Sequence, residues 1–168
     1  MFVLYTDYRY HWNERLTGLA LAAIGVGSTV VSALLIRQAI KRFGEERTFF
    51  LGTFFGISGL AIYAMAPNTA LFMVGTPLIS LWGLANPCMQ SMMSQRVSPS
   101  EQGQLQGAVN SLFGIAGMIA PLLFTGAFAY AISPEKAVAF PGIAYWMATA
   151  MLMGTFAIVW HVVRKQHG

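Results

Sequence analysis

The chain has 168 residues, of which 56 % are hydrophobic and only 10 % are charged, with a formal net charge of +4. A soluble globular protein needs helices with a charged outer face, and this composition supplies too few charged residues for one. The sequence therefore predicts an all-α, polytopic membrane protein and excludes a soluble globular core.

Long charge-free segments indicate where the chain crosses the membrane. No side chain is charged in residues 16–36, 48–95, 102–134 and 137–163. About 20 apolar residues in an α-helix span the hydrocarbon core, which is about 30 Å thick. The longest segment holds two spans, divided at Ala66-Pro67-Asn68, and each of the others holds one. The five predicted helices cover residues 16–36, 48–66, 69–93, 107–131 and 144–163.

Basic residues lie mostly on one side of the predicted bundle. Seven of the ten follow the first, third or fifth span: Arg37, Lys41, Arg42, Arg47, Arg96, Arg164 and Lys165. Cytoplasmic loops carry such an excess, so we expect these loops and the C-terminus in the cytoplasm. The positive charge is a topology signal, and no nucleic-acid partner is predicted.

The N-terminal residues indicate a fragment. Five spans with a cytoplasmic C-terminus place the N-terminus outside, yet residues 1–6 are too short to span and lack the pattern of a signal peptide. We interpret Phe2-Val3-Leu4-Tyr5 as the outer end of a sixth helix whose remainder is missing.

Aromatic residues are predicted to form an interfacial belt, because Trp and Tyr favour the headgroup region. Most lie near predicted outer helix ends: Tyr5, Tyr8, Tyr10, Trp12, Tyr63, Tyr130, Tyr145 and Trp146.

Catalytic and metal-binding patterns are not found. The single cysteine, Cys88, cannot pair, and no nucleophile lies near a base and no glycine-rich phosphate loop is present. We predict neither an enzyme nor a metal or cofactor site. The six acidic residues lie outside the predicted spans, so this segment carries no proton-coupling site of its own.

The third predicted span carries the residues best suited to binding a ligand. Trp82, Asn86 and Gln90 follow one another at steps of four and share a helix face. Buried amides need polar partners, so this face should look into protein or a water-filled cavity, where an aromatic ring beside amides suits an amphipathic molecule. The alternative is that the amides only tie helices together. Asn110 and Phe113 in the fourth span repeat the pattern after Gln106.

Small residues and prolines are expected to affect how the predicted helices pack and bend. Glycines at four-residue spacing, Gly52 with Gly56 and Gly103 with Gly107, predict close helix packing. Three prolines lie within spans and are expected to kink them: Pro77, Pro87 and Pro121.

The chain resembles the C-terminal half of the tetracycline-efflux-like branch of the major facilitator superfamily. The resemblance rests on an inter-helix loop motif containing Arg42, Gly44 and Arg47, on a segment from Pro87 to Ser94, and on a more specific pair of segments. That pair contains Gly103, Gln104, Gln106, Gly107 and Pro121.

This resemblance implies a parent of twelve helices in two six-helix bundles that works by alternating access. The chain would supply the outer end of helix seven and helices eight to twelve, with the N-terminal half as its missing partner. Family members are drug/proton antiporters of the bacterial inner membrane, which implies a small amphipathic substrate.

Two departures from the resembling family concern the substrate. Tetracycline exporters of this branch carry an aspartate in helix nine, where this chain has Gly56, and some carry a histidine in helix eight, where it has Ser28. We therefore expect a parent that is not a dedicated tetracycline exporter and that prefers neutral or weakly cationic hydrophobic compounds. The alternative to a half-transporter is a non-transporting membrane subunit or an inactive packing scaffold.

Overall fold

The computed structural model describes residues 1–133 and 140–165. Their elements are α1 (Phe2–Tyr10), α2 (Glu14–Val30), a π-helical turn (Val31–Leu35), α3 (Ile36–Phe43), α4 (Glu45–Met65), α5 (Thr69–Trp82), α6 (Ala85–Ser94), α7 (Gln102–Ala131) and α8 (Ile143–Arg164). No strand occurs in these two ranges, so the all-α prediction is confirmed for them.

Five helical segments among the described residues are long and apolar enough to cross a membrane. They are Glu14–Phe43, Glu45–Met65, Thr69–Ser94, Gln102–Ala131 and Ile143–Arg164. Each corresponds to one predicted span. Pro134, Glu135 and Lys136 lie outside the described residues.

The first span is longer than its hydrophobic segment. Asn13 caps its start by accepting a hydrogen bond from the Leu16 amide at 2.9 Å. The helix continues through α3 to Phe43, seven residues beyond the predicted end, because the basic residues after residue 36 end the apolar segment without ending the helix. It ends at Gly44, whose φ of 81° and ψ of 168° are adopted almost only by glycine.

The third span is interrupted, whereas the sequence predicted one kinked helix over residues 69–93. α5 ends at Trp82, Gly83 and Leu84 form a turn, and α6 begins at Ala85. In this turn the Gly83 and Leu84 amides bond to carbonyls three residues back, at 3.0 and 3.1 Å. Pro87 explains the break, because it has no N–H to donate to the Gly83 carbonyl and its ring crowds the preceding turn.

α4 is the central helix of the bundle and packs through glycines. A β-carbon added to Gly52 would lie 2.9 Å from the Ala85 backbone nitrogen, and one added to Gly59 would lie 2.9 Å from Cδ1 of Ile79. These distances are too short for any side chain, so α4 lies directly against α5 and α6. The close packing expected of Gly52 and Gly56 is therefore present.

α7 packs differently from α4. Of its 30 residues only Phe128 and Ala131 are buried, and both lie at its C-terminal end. Nothing among the described residues lies within 4 Å of a β-carbon added to Gly103 or Gly107. The close packing predicted for this second glycine pair is absent from the described part of the chain.

An aromatic cluster joins α1 to the ends of α4, α5, α7 and α8. Its buried rings are Tyr5, Trp12, Tyr63, Phe72, Phe128 and Tyr145. Tyr63 and Phe72 stack with ring centroids 4.0 Å apart. Four of the residues predicted for the interfacial belt, Tyr5, Trp12, Tyr63 and Tyr145, are buried in this cluster, whereas Tyr8, Tyr130 and Trp146 are exposed.

Hydrogen bonds from α1 and from Trp12, which follows it, secure this segment to the α4–α5 turn and the start of α5. The Tyr10 hydroxyl donates to the Ala66 carbonyl at 2.8 Å, and the Trp12 indole nitrogen donates to the Thr69 hydroxyl at 3.0 Å. α1 thus lies across the end of the bundle that carries Pro67.

Candidate functional site

A cavity of about 450 Å³ lies between α2, α4, α8 and the interrupted third span, with α7 at one side. This volume falls within the range of small-molecule sites. Its wall includes Ser28, Thr53, Trp82, Asn86, Met89 and Phe113, and none of the described residues that line it is ionisable. The cavity is therefore mostly apolar with a few polar groups.

The break in the third span places backbone as well as side chains at this cavity. Trp82, Gly83 and Asn86 all line it, on either side of the turn. The Gly83 carbonyl lacks its usual helical donor because Pro87 has no N–H. Gly83 thus brings a main-chain carbonyl without this donor into the segment that lines the cavity.

Three of the five predicted substrate-pathway residues meet at the cavity. Trp82, Asn86 and Phe113 line it, whereas Gln90 and Asn110 do not. Asn110 instead accepts a hydrogen bond from the Gln106 amide at 3.3 Å on the exposed surface of α7.

The polar side chains of the wall differ in their availability. Thr53 donates to the Phe49 carbonyl at 2.8 Å and Thr155 donates to the Met151 carbonyl at 3.1 Å, both within their own helices. The Asn86 amide is exposed and has no hydrogen-bond partner among the described residues. Its amide is therefore available to a ligand or water.

Trp82 is held against α4 at Gly56. A β-carbon added to Gly56 would lie 2.7 Å from Cγ of Trp82 and 2.9 Å from Cδ1 and Cδ2. The indole therefore covers the backbone of α4 where that helix has no side chain. Trp82 is 36 % exposed and also lines the cavity.

Sequence reasoning missed several wall residues. Met89 and Thr53 carry no local signal, since an isolated methionine or threonine in an apolar helix is ordinary. The four-residue spacing of Asn86 and Gln90 predicted Gln90 as the next wall residue of α6. Met89 instead lines the cavity and two neighbouring apolar pockets. Methionine adapts its shape readily, which suits the wall of a binding cavity.

The inter-helix motif lies at the other end of the bundle from α1. Gly44 forms the connection, Arg47 is exposed, and the Arg42 guanidinium lies 5.7 Å from the centroid of the Phe43 ring. Beside it, Glu45 joins α4 to the end of α6. Its two carboxylate oxygens accept hydrogen bonds from the Ser91 hydroxyl at 2.8 Å and the Gln95 amide at 2.9 Å.

The remaining predicted motif residues lie on α7. Gln104 is exposed near its start and Pro121 lies inside the helix, one turn before Thr125, whose hydroxyl donates to the Pro121 carbonyl at 2.5 Å. Within the described ranges no group of three His, Cys, Asp or Glu side chains is placed to hold a metal ion.

Comparison with known proteins agrees with this architecture. Residues 1–167 match the Major Facilitator Superfamily. The class H tetracycline resistance protein of Pasteurella multocida is 30 % identical over 154 residues, which is 92 % of this chain and 36 % of that protein. The class D protein of Salmonella ordonez is 30 % identical over 167 residues, covering 98 % of this chain and 40 % of that protein. The class E protein of Escherichia coli is 31 % identical over 137 residues, covering 80 % of this chain and 33 % of that protein.

The chain spans roughly a third to two fifths of the length of these curated relatives. No solved structure matches it.

Five helical segments that are long and apolar enough to cross a membrane define a multi-pass membrane protein. The chain belongs to the Major Facilitator Superfamily. Within it, the chain is similar to the tetracycline resistance proteins, as the resemblance in its loop and α7 motifs predicted.

Proposed function

We propose that this chain is the C-terminal half of a secondary active transporter that exports small amphipathic compounds by alternating access. The cavity carries this proposal. Trp82 and Phe113 offer aromatic surface and Asn86 offers an unengaged amide, within a volume suited to one small organic molecule.

The alternative in which the amides only tie helices together receives less support. Neither Asn86 nor Gln90 makes a hydrogen bond to another described residue. An amide in an apolar bundle costs free energy unless water, a ligand or another protein segment satisfies it. For Asn86, the cavity that it lines offers space for such a water or ligand.

We propose that the transported compound is neutral or weakly cationic, the latter including singly charged aromatic dyes whose charge is delocalised over the ring system. The described wall contains no carboxylate that could pair with a strongly cationic or metal-chelated molecule. Gly56, which we align with the family's aspartate, is covered by the Trp82 ring. The relatives' names concern tetracycline, and we propose a different or broader preference here.

Proton coupling is proposed to reside in the part of the parent that this chain does not span. The relatives are two to three times as long as the matched segment, which leaves room for a second bundle. We place the protein in the bacterial inner membrane with its C-terminus in the cytoplasm, because basic residues concentrate after the first, third and fifth spans.

Drug accumulation tests the proposal. A sensitive bacterial strain carrying the intact gene should accumulate less ethidium than the strain without it, and a protonophore should abolish the difference. The same strain expressing only residues 1–168 should accumulate as much as the control, because alternating access needs two bundles.

Two results would contradict this function. Equal accumulation with and without the intact gene, for ethidium, proflavine and tetracycline alike, would favour the scaffold alternative. Export by residues 1–168 alone would refute the assignment as a half-transporter.

A further inference from the structure

Gly56 and Trp82 form a contact that affects the width of the cavity. The indole lies so close to the Gly56 α-carbon that an added β-carbon would approach three ring atoms within 2.9 Å. Such distances lie well inside van der Waals contact, so any side chain at position 56 forces a displacement. Either the helices separate there or the ring moves.

The helices cannot separate easily, because the same interface is closely packed one turn away on each side. On the preceding turn Gly52 lies against the backbone of Ala85, and on the following turn Gly59 lies against Ile79. Pushing α4 away at Gly56 would open both contacts and leave voids in a closely packed interior. The ring is therefore the part that yields.

The direction in which the ring can move is fixed by its surroundings. One face of Trp82 covers Gly56, and its exposed portion borders the cavity. A ring displaced from α4 enters the space of the cavity, whose wall also includes Asn86 and Phe113. Displacement of the ring therefore narrows the cavity.

We propose that Gly56 is a positioning residue that sets the size limit of the substrate by letting Trp82 lie flat against α4. This inference rests on the proposed function, since it assigns substrate selection to the same cavity. The substrate class that it implies is a flat, fused-ring organic molecule that stacks on the indole. A bulky substituent on such a ligand would be the first group excluded when the Trp82 ring moves into the cavity.

The position of the ring can be measured without any transport. The intact protein is labelled with fluorotryptophan, and the Trp82 resonance in fluorine NMR is assigned by its loss in Trp82→Phe. Gly56→Ala should shift this resonance, and the signals of Trp12, Trp146 and Trp160 should stay in place. An unshifted Trp82 signal in folded Gly56→Ala protein would overturn the proposal, whether or not the protein transports anything.

Selectivity is measured as the ratio of KM values for two dyes in vesicles containing the intact protein. Proflavine is flat, and ethidium adds a phenyl group to a similar fused-ring system. Gly56→Ala should raise KM for ethidium about tenfold relative to proflavine, since one methylene-sized change in an apolar pocket has an effect of that order. Gly56→Ala combined with Trp82→Phe should restore the wild-type ratio, because the smaller ring returns the lost space.

Gly75→Ala is a matched control. A β-carbon on Gly75 would also lie 2.7 Å from an aromatic ring, that of Tyr63, but this ring belongs to the aromatic cluster and does not line the cavity. Gly75→Ala should leave the KM ratio unchanged even where it lowers stability.

The possible results distinguish failure of the proposed function from failure of the size limit assigned to Gly56. A wild-type protein that transports neither dye would contradict the proposed function, and the NMR result would still decide the role of Gly56. An unchanged KM ratio in Gly56→Ala, or no rescue by Trp82→Phe, would overturn the size limit. If Gly56→Ala does not fold, Trp82→Phe alone must favour ethidium over proflavine relative to wild type, and a ratio that stays the same would contradict the proposal.

Discussion

The rings of Tyr5 and Tyr145 meet edge to face, with centroids 4.8 Å apart, yet their hydroxyls are in opposite situations. The Tyr5 hydroxyl donates to the Tyr63 carbonyl at 2.9 Å. The Tyr145 hydroxyl is buried without a hydrogen-bond partner in the described part of the chain. The Tyr63 carbonyl needs an outside donor, because the residue four positions later is Pro67, which has no N–H.

Removal of these two hydroxyls should therefore have different effects. Tyr5→Phe leaves the Tyr63 carbonyl unsatisfied and should lower the free energy of unfolding by about 1–3 kcal/mol. Tyr145→Phe removes an unpaired polar atom and should be neutral or slightly stabilising. Thermal unfolding of the detergent-solubilised intact protein compares the two variants, and equal losses would contradict the hydrogen-bond assignment.

Gly44 should tolerate no side chain. Its φ of 81° and ψ of 168° lie in a region that is nearly exclusive to glycine, so Gly44→Ala should cost about 1–3 kcal/mol in unfolding free energy. Gly25→Ala is the control, because nothing lies within 4 Å of the added methyl and the residue is helical. Gly25→Ala should match or exceed wild-type stability, and a loss as large as that of Gly44→Ala would show that backbone conformation is not the cause.

Glu45 and Ser91 should be energetically coupled. Their hydrogen bond of 2.8 Å joins α4 to α6, and each single change to alanine should lower stability by about 1 kcal/mol. The double variant should lose less than the sum of the single losses. Ser58→Ala provides the additive control with Glu45→Ala, because the Ser58 hydroxyl bonds only within its own helix, to the Phe54 carbonyl. Additivity in both pairs would refute the coupling.

Glu101 should stabilise the start of α7 in a pH-dependent way. Its carboxylate accepts hydrogen bonds from the Ser98 hydroxyl at 2.6 Å and the Ser98 amide at 3.0 Å, and these bonds lower the pKa of Glu101 below its usual value. The contribution is therefore fully present above the unfolded-state pKa and is lost as the pH falls through the lowered pKa of the folded state.

The test compares Glu101→Ala with wild type in thermal unfolding. The variant should have the lower midpoint at neutral pH, and the two midpoints should converge in acid as the wild-type carboxylate becomes protonated. Gln102→Ala changes an adjacent uncharged residue, so its difference from wild type should not vary with pH. A Glu101→Ala difference that persists unchanged in acid would exclude the carboxylate as the cause.

Trp82→Ala and Asn86→Leu should impair export by the intact protein while leaving it folded. Loss of the indole should weaken binding of a stacked dye by about 1–3 kcal/mol. Trp146→Ala is a matched control, since Trp146 is 37 % exposed and Trp82 is 36 % exposed but only Trp82 lines the cavity. Normal transport combined with lower stability in both cavity variants would identify these residues as helix contacts only.

The spans were predictable because the hydrocarbon core imposes a simple rule of length and charge on the sequence. The ends of the helices were less predictable from the sequence. The rule detects where apolar residues stop, and α3 continues past that point because Arg37, Lys41 and Arg42 are good helix formers outside the apolar segment. The stop at Gly44 depends on backbone conformation.

The candidate site was predictable only in part. Trp82 and Asn86 stood out because an indole and an amide are unusual within an apolar span. The contact with Gly56 joins residues on different helices, and periodicity along one helix carries no information about it. The burial of Tyr5, Tyr63 and Tyr145 has the same origin, since α1 folds back over the ends of other helices.

The one-residue connection at Gly44 joins two helices of unequal length. Glu14–Phe43 has 30 residues and Glu45–Met65 has 21, and the difference of nine residues corresponds to about 13 Å of helix. Two upright helices that start level at Gly44 would end at different depths, so the α4–α5 turn would be recessed relative to the start of α2. Tilting of the longer helix reduces this mismatch.

A turn recessed in this way would have little access to water, and its backbone carbonyls would still require donors. The Tyr10 hydroxyl and the Arg9 side chain both donate to the Ala66 carbonyl, at 2.8 and 3.4 Å. For this turn α1 takes the place of solvent, and a short hairpin can end below the membrane surface without leaving that carbonyl unsatisfied.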